Sequence, residues 1–142
     1  MGQSKPFRAT ALVVEDDPMQ REMIALLLEE SHFDVIECES AEAAEAVLRR
    51  MGRELALVMT DVALAGAMDG VSLAHIARRY NPKLDVIVTS GSPLPRPLPR
   101  GAQYWSKPWA PLDVIRLAEQ TSYRLARQLM DGPADDLPRS RH

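Results

Sequence analysis

Short apolar runs rich in β-branched residues alternate along this chain with longer stretches of helical periodicity, and the runs end abruptly in charged or hydroxyl residues. Residues 9–14 form a near-continuous apolar run, as expected of a strand covered on both faces. The run stops at Glu15-Asp16-Asp17-Pro18, where Pro18 suits a first helical turn and Asp17 an N-cap. Met19, Met23, Leu26, Leu27 and Glu30 then share one side of a helix. Ile24 and Leu28 widen that apolar stripe, which assigns the methionines to the core as filler. Further strands are predicted over 33–37, 55–60, 84–89 and, more weakly, 102–106. Helices are predicted from the Ser40 cap to Gly52, from Gly70 to the Asn81-Pro82 stop, and over 111–130. This β-α alternation implies a doubly wound parallel sheet with helices on both faces. In such sheets the working crevice lies at the carboxyl ends of the strands.

With 142 residues, the chain has room for one domain and can fold without disulfides. Its 46% apolar and 26% charged residues are ordinary for a globular domain. A net charge of −3 with scattered Lys and Arg argues against a nucleic-acid footprint. Cys38 is the single cysteine, which excludes an internal disulfide, and no Cys/His cluster has zinc spacing. Flanking Glu37 and Glu39 would raise its pKa, so it reads as inert. His32, His75 and His142 are separated and read as solvated or packed. No apolar run approaches the ~20 residues of a membrane span, and the N-terminus lacks a signal core, so a cytoplasmic protein is expected. Residues 1–8 read as an N-terminal arm and 131–142, polar and proline-containing, as a disordered tail.

The chemistry-bearing residues follow the strands. Glu15 and Asp16 follow the first and Asp61 ends the third, and these strands are neighbours in a doubly wound sheet. Like charges brought together repel unless compensated, and a hard cation such as Mg²⁺ is the natural compensator. Nothing matches a glycine-rich phosphate loop, so any phosphate chemistry here must run through the metal, beside which a free carboxylate can serve as nucleophile. Ser90 after the fourth strand offers a hydroxyl, and Lys107 after the fifth an ammonium.

The ordered set Leu12-Val13-Val14-Glu15-Asp16-Asp17, Met59-Thr60-Asp61, Val88-Thr89-Ser90-Gly91 and Lys107-Pro108-Trp109 resembles the receiver domain of bacterial two-component response regulators, the CheY-like family. The resemblance covers residues 9–130. It implies a flavodoxin-like five-stranded parallel sheet of order 2-1-3-4-5. It also implies that Asp61 is the phosphoacceptor, loaded by a histidine kinase or a histidine phosphotransfer protein. Mg²⁺ would be held by Asp16 and Asp61, by Glu15 directly or through water, and by the main-chain carbonyl of Ala63. Ser90 matches the switch hydroxyl, with Thr89 as the rival; Lys107 matches the family's lysine and Tyr104 its switch aromatic. Such a protein signals through contacts with an unidentified downstream protein rather than as an enzyme, with slow self-dephosphorylation at most. The last helix is amphipathic enough to pair with a second copy.

The sequence departs from the family at two places. Leu64-Ala65 stands where many receivers carry a hydrophobic residue followed by proline, in a longer loop ending Gly66-Ala67-Met68-Asp69-Gly70. More drastically, Ser92-Pro93-Leu94-Pro95-Arg96-Pro97-Leu98-Pro99-Arg100-Gly101 replaces the family's fourth helix. Proline at alternate positions removes backbone donors and clashes with the preceding turn, so this helix is missing and an extended polyproline stretch is expected. It reads either as a rigid bypass loop or as a basic docking strip through Arg96 and Arg100. Two functions stay open: a phosphoacceptor, standing alone or cut from a longer regulator, and an interaction module that works without phosphorylation. A dehalogenase-type phosphatase is disfavoured, since it needs a second aspartate as general acid where Ala63 stands.

Overall fold

A computed structural model describes residues 8–135. The elements run β1 (Thr10–Val14), α1 (Pro18–Glu30), β2 (Asp34–Cys38), α2 (Ala41–Met51), β3 (Leu55–Asp61), α3 (Gly70–Tyr80), β4 (Asp85–Ser90), β5 (Gln103–Ser106) and α4 (Pro111–Asp135). A short 3-10 turn, Gly52–Glu54, links α2 to β3. The five strands pair in parallel, as the β-α alternation predicts, and in the order β2-β1-β3-β4-β5 that the family resemblance implies. The order reverses between β1 and β3, the position where open α/β sheets place their sites.

Side chains alternate across the sheet, so β1 feeds two cores. Leu12 and Val14 join Val58, Val86 and Val88 beneath α2 and α3. Ala11 and Val13 join Leu57, Met59 and Ile87 beneath α1 and α4. β3 is buried at every position, which explains its unbroken apolar run. Each fully buried Leu, Ile or Phe here contributes on the order of 2 kcal/mol, so these layers hold the strand ends in fixed register. The predicted caps form: Asp17, Ser40 and Asp69 each accept a backbone N–H in the first turn of α1, α2 and α3.

Three expectations need correction. The inward face of α1 is Ile24, Ala25 and Leu28, not the methionine stripe. Met19 is 80% exposed, Met23 40% and Leu26 52%. The true stripe lies about 100° around the helix from the expected one, and both are apolar, so periodicity alone could not choose between them. Second, burial rather than the flanking acids pushes the Cys38 thiol up, with Arg21 opposing it. Cys38 points into the α2–α3 core while Glu37 and Glu39 face away. Third, α4 continues to Asp135, past the expected end at Met130. A helix already nucleated extends at little cost, so the Gly132-Pro133 pair does not stop it at once. The expectations for residues 1–7 and 136–142 lie outside the described residues; Arg8 is tied to the sheet by the Asp34 carboxylate (2.8 Å) and the Phe33 carbonyl (2.9 Å).

No helix joins β4 to β5, in agreement with the proline pattern. Leu94, Leu98 and Ala102 instead lay the connection against the α2–α3 core. No described helix is long and apolar enough to cross a membrane.

Candidate functional site

The carboxyl ends of β1, β3 and β5 bring together Glu15, Asp61 and Lys107. Lys107 Nζ lies 3.0 Å from Asp61 Oδ2 and 3.9 Å from Glu15 Oε1. Both carboxylates are nearly out of water, with side chains only 4% and 9% exposed, so the ammonium meets them at low effective dielectric. Lys107 is placed by the sheet itself: its N–H donates to the Ser90 carbonyl at 2.8 Å, continuing the β4–β5 pairing past Ser106.

Glu15 carries the electrostatic strain of the site. Burial pushes its carboxyl up from 4.5 to about 7; the Asp17 N–H opposes this, the Asp61 charge adds to it, Lys107 opposes it and the contact with Asp16 adds to it again. Asp16 sits in the exposed bend after β1, and Ala63 in the exposed bend after β3. Among the described residues, no three His, Cys, Asp or Glu side chains are already grouped as a metal cage. The donor chemistry is nevertheless all-oxygen and acid-rich, the kind of donor set a hard cation such as Mg²⁺ takes.

Ser90 is buried at the end of β4, and its Oγ turns toward the following loop: it donates to the Ser92 carbonyl at 2.7 Å and accepts the Ser92 N–H at 3.0 Å. Thr89, the rival, is buried within the strand, where its carbonyl accepts the Val62 N–H at 2.9 Å. Tyr104 is 39% exposed, and its hydroxyl donates to the same Ser92 carbonyl at 3.2 Å. Its neighbour Trp105 takes the core-facing side of β5 and meets Trp109 with ring centroids 6.3 Å apart.

Several supporting residues escape a reading of the sequence. Gln20 Oε1 lies 3.4 Å from Lys107 Nζ, and Arg21 donates to the Glu15 carbonyl at 2.8 Å. Glu42 of α2 accepts the N–H groups of Ala67 (3.1 Å) and Met68 (3.0 Å), pinning the loop after Asp61. Gly70 packs so tightly that a Cβ there would lie 2.0 Å from the Asp61 carbonyl oxygen. Of these, only Gly70 left a trace in the sequence, as the Asp-Gly pair closing the loop.

A doubly wound sheet with two buried acids and a lysine at its switch point defines a class, the response-regulator-like receivers. The family model described as "Response regulator receiver domain" matches residues 11–96, and the chain belongs to that family. The match ends inside the proline segment, where the fourth helix is lost. Among curated proteins, the transcriptional regulatory protein AruR of Pseudomonas aeruginosa is 36% identical over 83 residues, 56% of this chain and 33% of that protein. A cyclic di-GMP phosphodiesterase of Thermotoga maritima is 33% identical over 81 residues, 57% of this chain and 21% of that protein. The chain thus spans a third or less of these relatives. Among solved structures, the receiver domain from hybrid histidine kinase CckA superposes with a TM-score of 0.70 at 26% identity, covering 80% of this chain and 98% of that one.

Proposed function

We propose that the chain is the phosphoacceptor of a two-component relay, with Asp61 as the acceptor. The observation that carries this reading is Lys107 Nζ at 3.0 Å from Asp61 Oδ2, beside a second buried acid, at the switch point of the sheet. An Asp61 carboxylate oxygen attacks the phosphorus of a phosphohistidine on a histidine kinase or phosphotransfer protein. The P–N bond breaks, its electron pair stays on the imidazole nitrogen, and an acyl phosphate forms on Asp61. Lys107 balances charge at the acceptor oxygen as the phosphoryl group arrives. Glu15, Asp16, Asp61 and the Ala63 carbonyl are the groups that would hold Mg²⁺, which when bound neutralises phosphoryl charge. Ser90 offers its hydroxyl to a phosphoryl oxygen, and Tyr104 follows the change.

The exposed Met19, Met23 and Leu26 on α1 support the same reading. Met23 shares a cleft with Gln20, Lys107, Pro108 and Trp109, so the apolar strip of α1 runs up to Lys107. That strip suits the apolar side of a donor helix carrying the phosphohistidine.

Intact-mass spectrometry after incubation with acetyl phosphate tests the proposal. The wild type gains one phosphoryl group only with Mg²⁺ present, and Asp61→Asn gains none. An adduct that survives Asp61→Asn would remove Asp61 from the role. Failure to load with either acetyl phosphate or beryllofluoride would favour an interaction module that works without phosphorylation.

A further inference from the structure

The segment 92–101 cannot hold itself in place. Pro93, Pro95, Pro97 and Pro99 lack N–H groups, and its own backbone bond, Ala102 N–H to the Pro99 carbonyl, is local. What fastens it comes from α3 and that helix's N-cap. Asp69, Ser72, His75 and Arg78 stand at three-residue intervals, an oblique ridge on the helix surface. Arg96 donates to Asp69 Oδ1 (2.7 Å) and Ser72 Oγ (3.0 Å). His75 Nε2 meets the Pro97 carbonyl at 3.0 Å, and Arg78 donates to the Arg100 carbonyl. Leu94 and Leu98 lie on the apolar core beneath. Burial alone would raise the Asp69 carboxyl, but the bonds from Arg96 and Ser72 outweigh it and hold it below the usual range, so the first pin is ionised at neutral pH.

The head of the segment is fastened differently. The Ser92 carbonyl accepts from both Ser90 Oγ and Tyr104 Oη, and the Ser92 N–H returns a bond to Ser90 Oγ. Ser90 thus ties the carboxyl end of β4, next to β3 and Asp61, to the head of the strap. Drawing it toward a phosphoryl oxygen removes an acceptor and a donor from Ser92 together, leaving the head on the exposed Tyr104 alone.

We infer that residues 92–101 form a latch over α3 that loading of Asp61 opens, uncovering the Asp69–Ser72–His75–Arg78 ridge and the apolar surface under Leu94 and Leu98. This rests on the phosphoacceptor reading above. The latch is specific to this chain's helix-less connection: the coupled element is an extended strap with side-chain pins, not a helix that shifts as a body.

Thiol labelling of Leu98→Cys tests it, with buried Cys38 as the internal control for an intact fold. Beryllofluoride with Mg²⁺ is expected to speed labelling at position 98 about tenfold while Cys38 stays unreactive. Arg96→Ala is expected to speed it about fivefold without loading, with the phosphoryl adduct still forming in full. In the unsubstituted chain, tryptic cleavage after Arg100 follows the same pattern and serves if Leu98→Cys does not fold. An adduct on Asp61 with labelling and cleavage unchanged overturns the latch and leaves the phosphoacceptor reading intact. Absence of any adduct overturns both.

Discussion

Two connections without regular structure leave the same end of the sheet, one after β3 and one after β4, and they are built on opposite principles. The loop after Asp61 is bound main chain to main chain at both ends and in its middle. The Val62 N–H donates to the Thr89 carbonyl, the Gly70 N–H to the Val62 carbonyl, and Ala65 bridges to Ser40. The Glu42 carboxylate adds one side-chain pin of its own, accepting two further N–H groups between those anchors. The strap after Ser90 has prolines where such donors would be, and it depends on the side chains of Arg96, His75 and Arg78. Main-chain bonding in a packed setting gives a fixed platform, whereas exposed side-chain pins are individually weak and can release. The difference teaches where the fold is stiff: under the Asp61 carboxylate, and not in the connection that follows Ser90.

The largest expected effect sharpens the first half of that comparison. Gly70→Ala places a methyl group 2.0 Å from the Asp61 carbonyl oxygen and 3.1 Å from Thr60 Oγ1, both of them held by the sheet. Backbone cannot yield as a flexible side chain does, so the cost is about 3 kcal/mol or more, read as a lower urea midpoint. A stability within about 0.5 kcal/mol of wild type would show that the loop is as free to move as the strap.

How much of this was legible before the structure follows from the range of the forces involved. Strands and helices announced themselves because burial on both faces demands uninterrupted Val, Ile and Leu, as in β3, and because caps such as Asp17 and Ser40 act within one turn. Glu15, Asp61, Ser90 and Lys107 were legible as candidates because each follows a strand, and the sheet order carries strand ends to one place. The contact of Gly70 with Asp61 was not, since it is set by how α3 seats on β3. The same holds for the exposed face of α1: two apolar stripes compete, and the seating of Ile24 and Leu28 on Phe33 and the neighbouring core decides between them. The proline pattern excluded a helix after Ser90 but carried no sign of its partners, because the ridge residues that hold the strap lie 22 to 27 positions upstream of the residues they bind.

A second, pH-dependent effect tests the charge balance on the platform. The folded Glu15 pKa of about 7 exceeds its ordinary 4.5, so the folded protein holds a proton that the unfolded chain has released between these values. The associated stability is fully present below 4.5 and is lost as pH rises through 7, a difference of up to about 3 kcal/mol. Glu15→Gln keeps the shape and the acceptor for the Asp17 N–H without the charge. It is expected to raise Tm relative to wild type at pH 8 and to leave it unchanged at pH 4. Mg²⁺ added at pH 8 is expected to stabilise the wild type and to have a much smaller effect on Glu15→Gln. Equal Mg²⁺ stabilisation of both proteins would remove Glu15 from the cation site.

The smallest expected effect probes the strap. Arg96→Ala removes an ion pair whose side chains are 48% and 31% exposed, which is worth at most about 1 kcal/mol. Asp69 keeps its bond from the Ser72 N–H at 2.9 Å, so the N-cap of α3 survives the substitution. Global unfolding should therefore shift by less than about 1 kcal/mol, while local opening of 92–101 accelerates. The two readouts must part company if the strap is held by pins on a rigid body. Should Arg96→Ala lower the urea midpoint as much as Gly70→Ala does, the strap would be an integral part of the α2–α3 core, its leucines would carry the load in place of its arginine, and the contrast between the two connections would collapse.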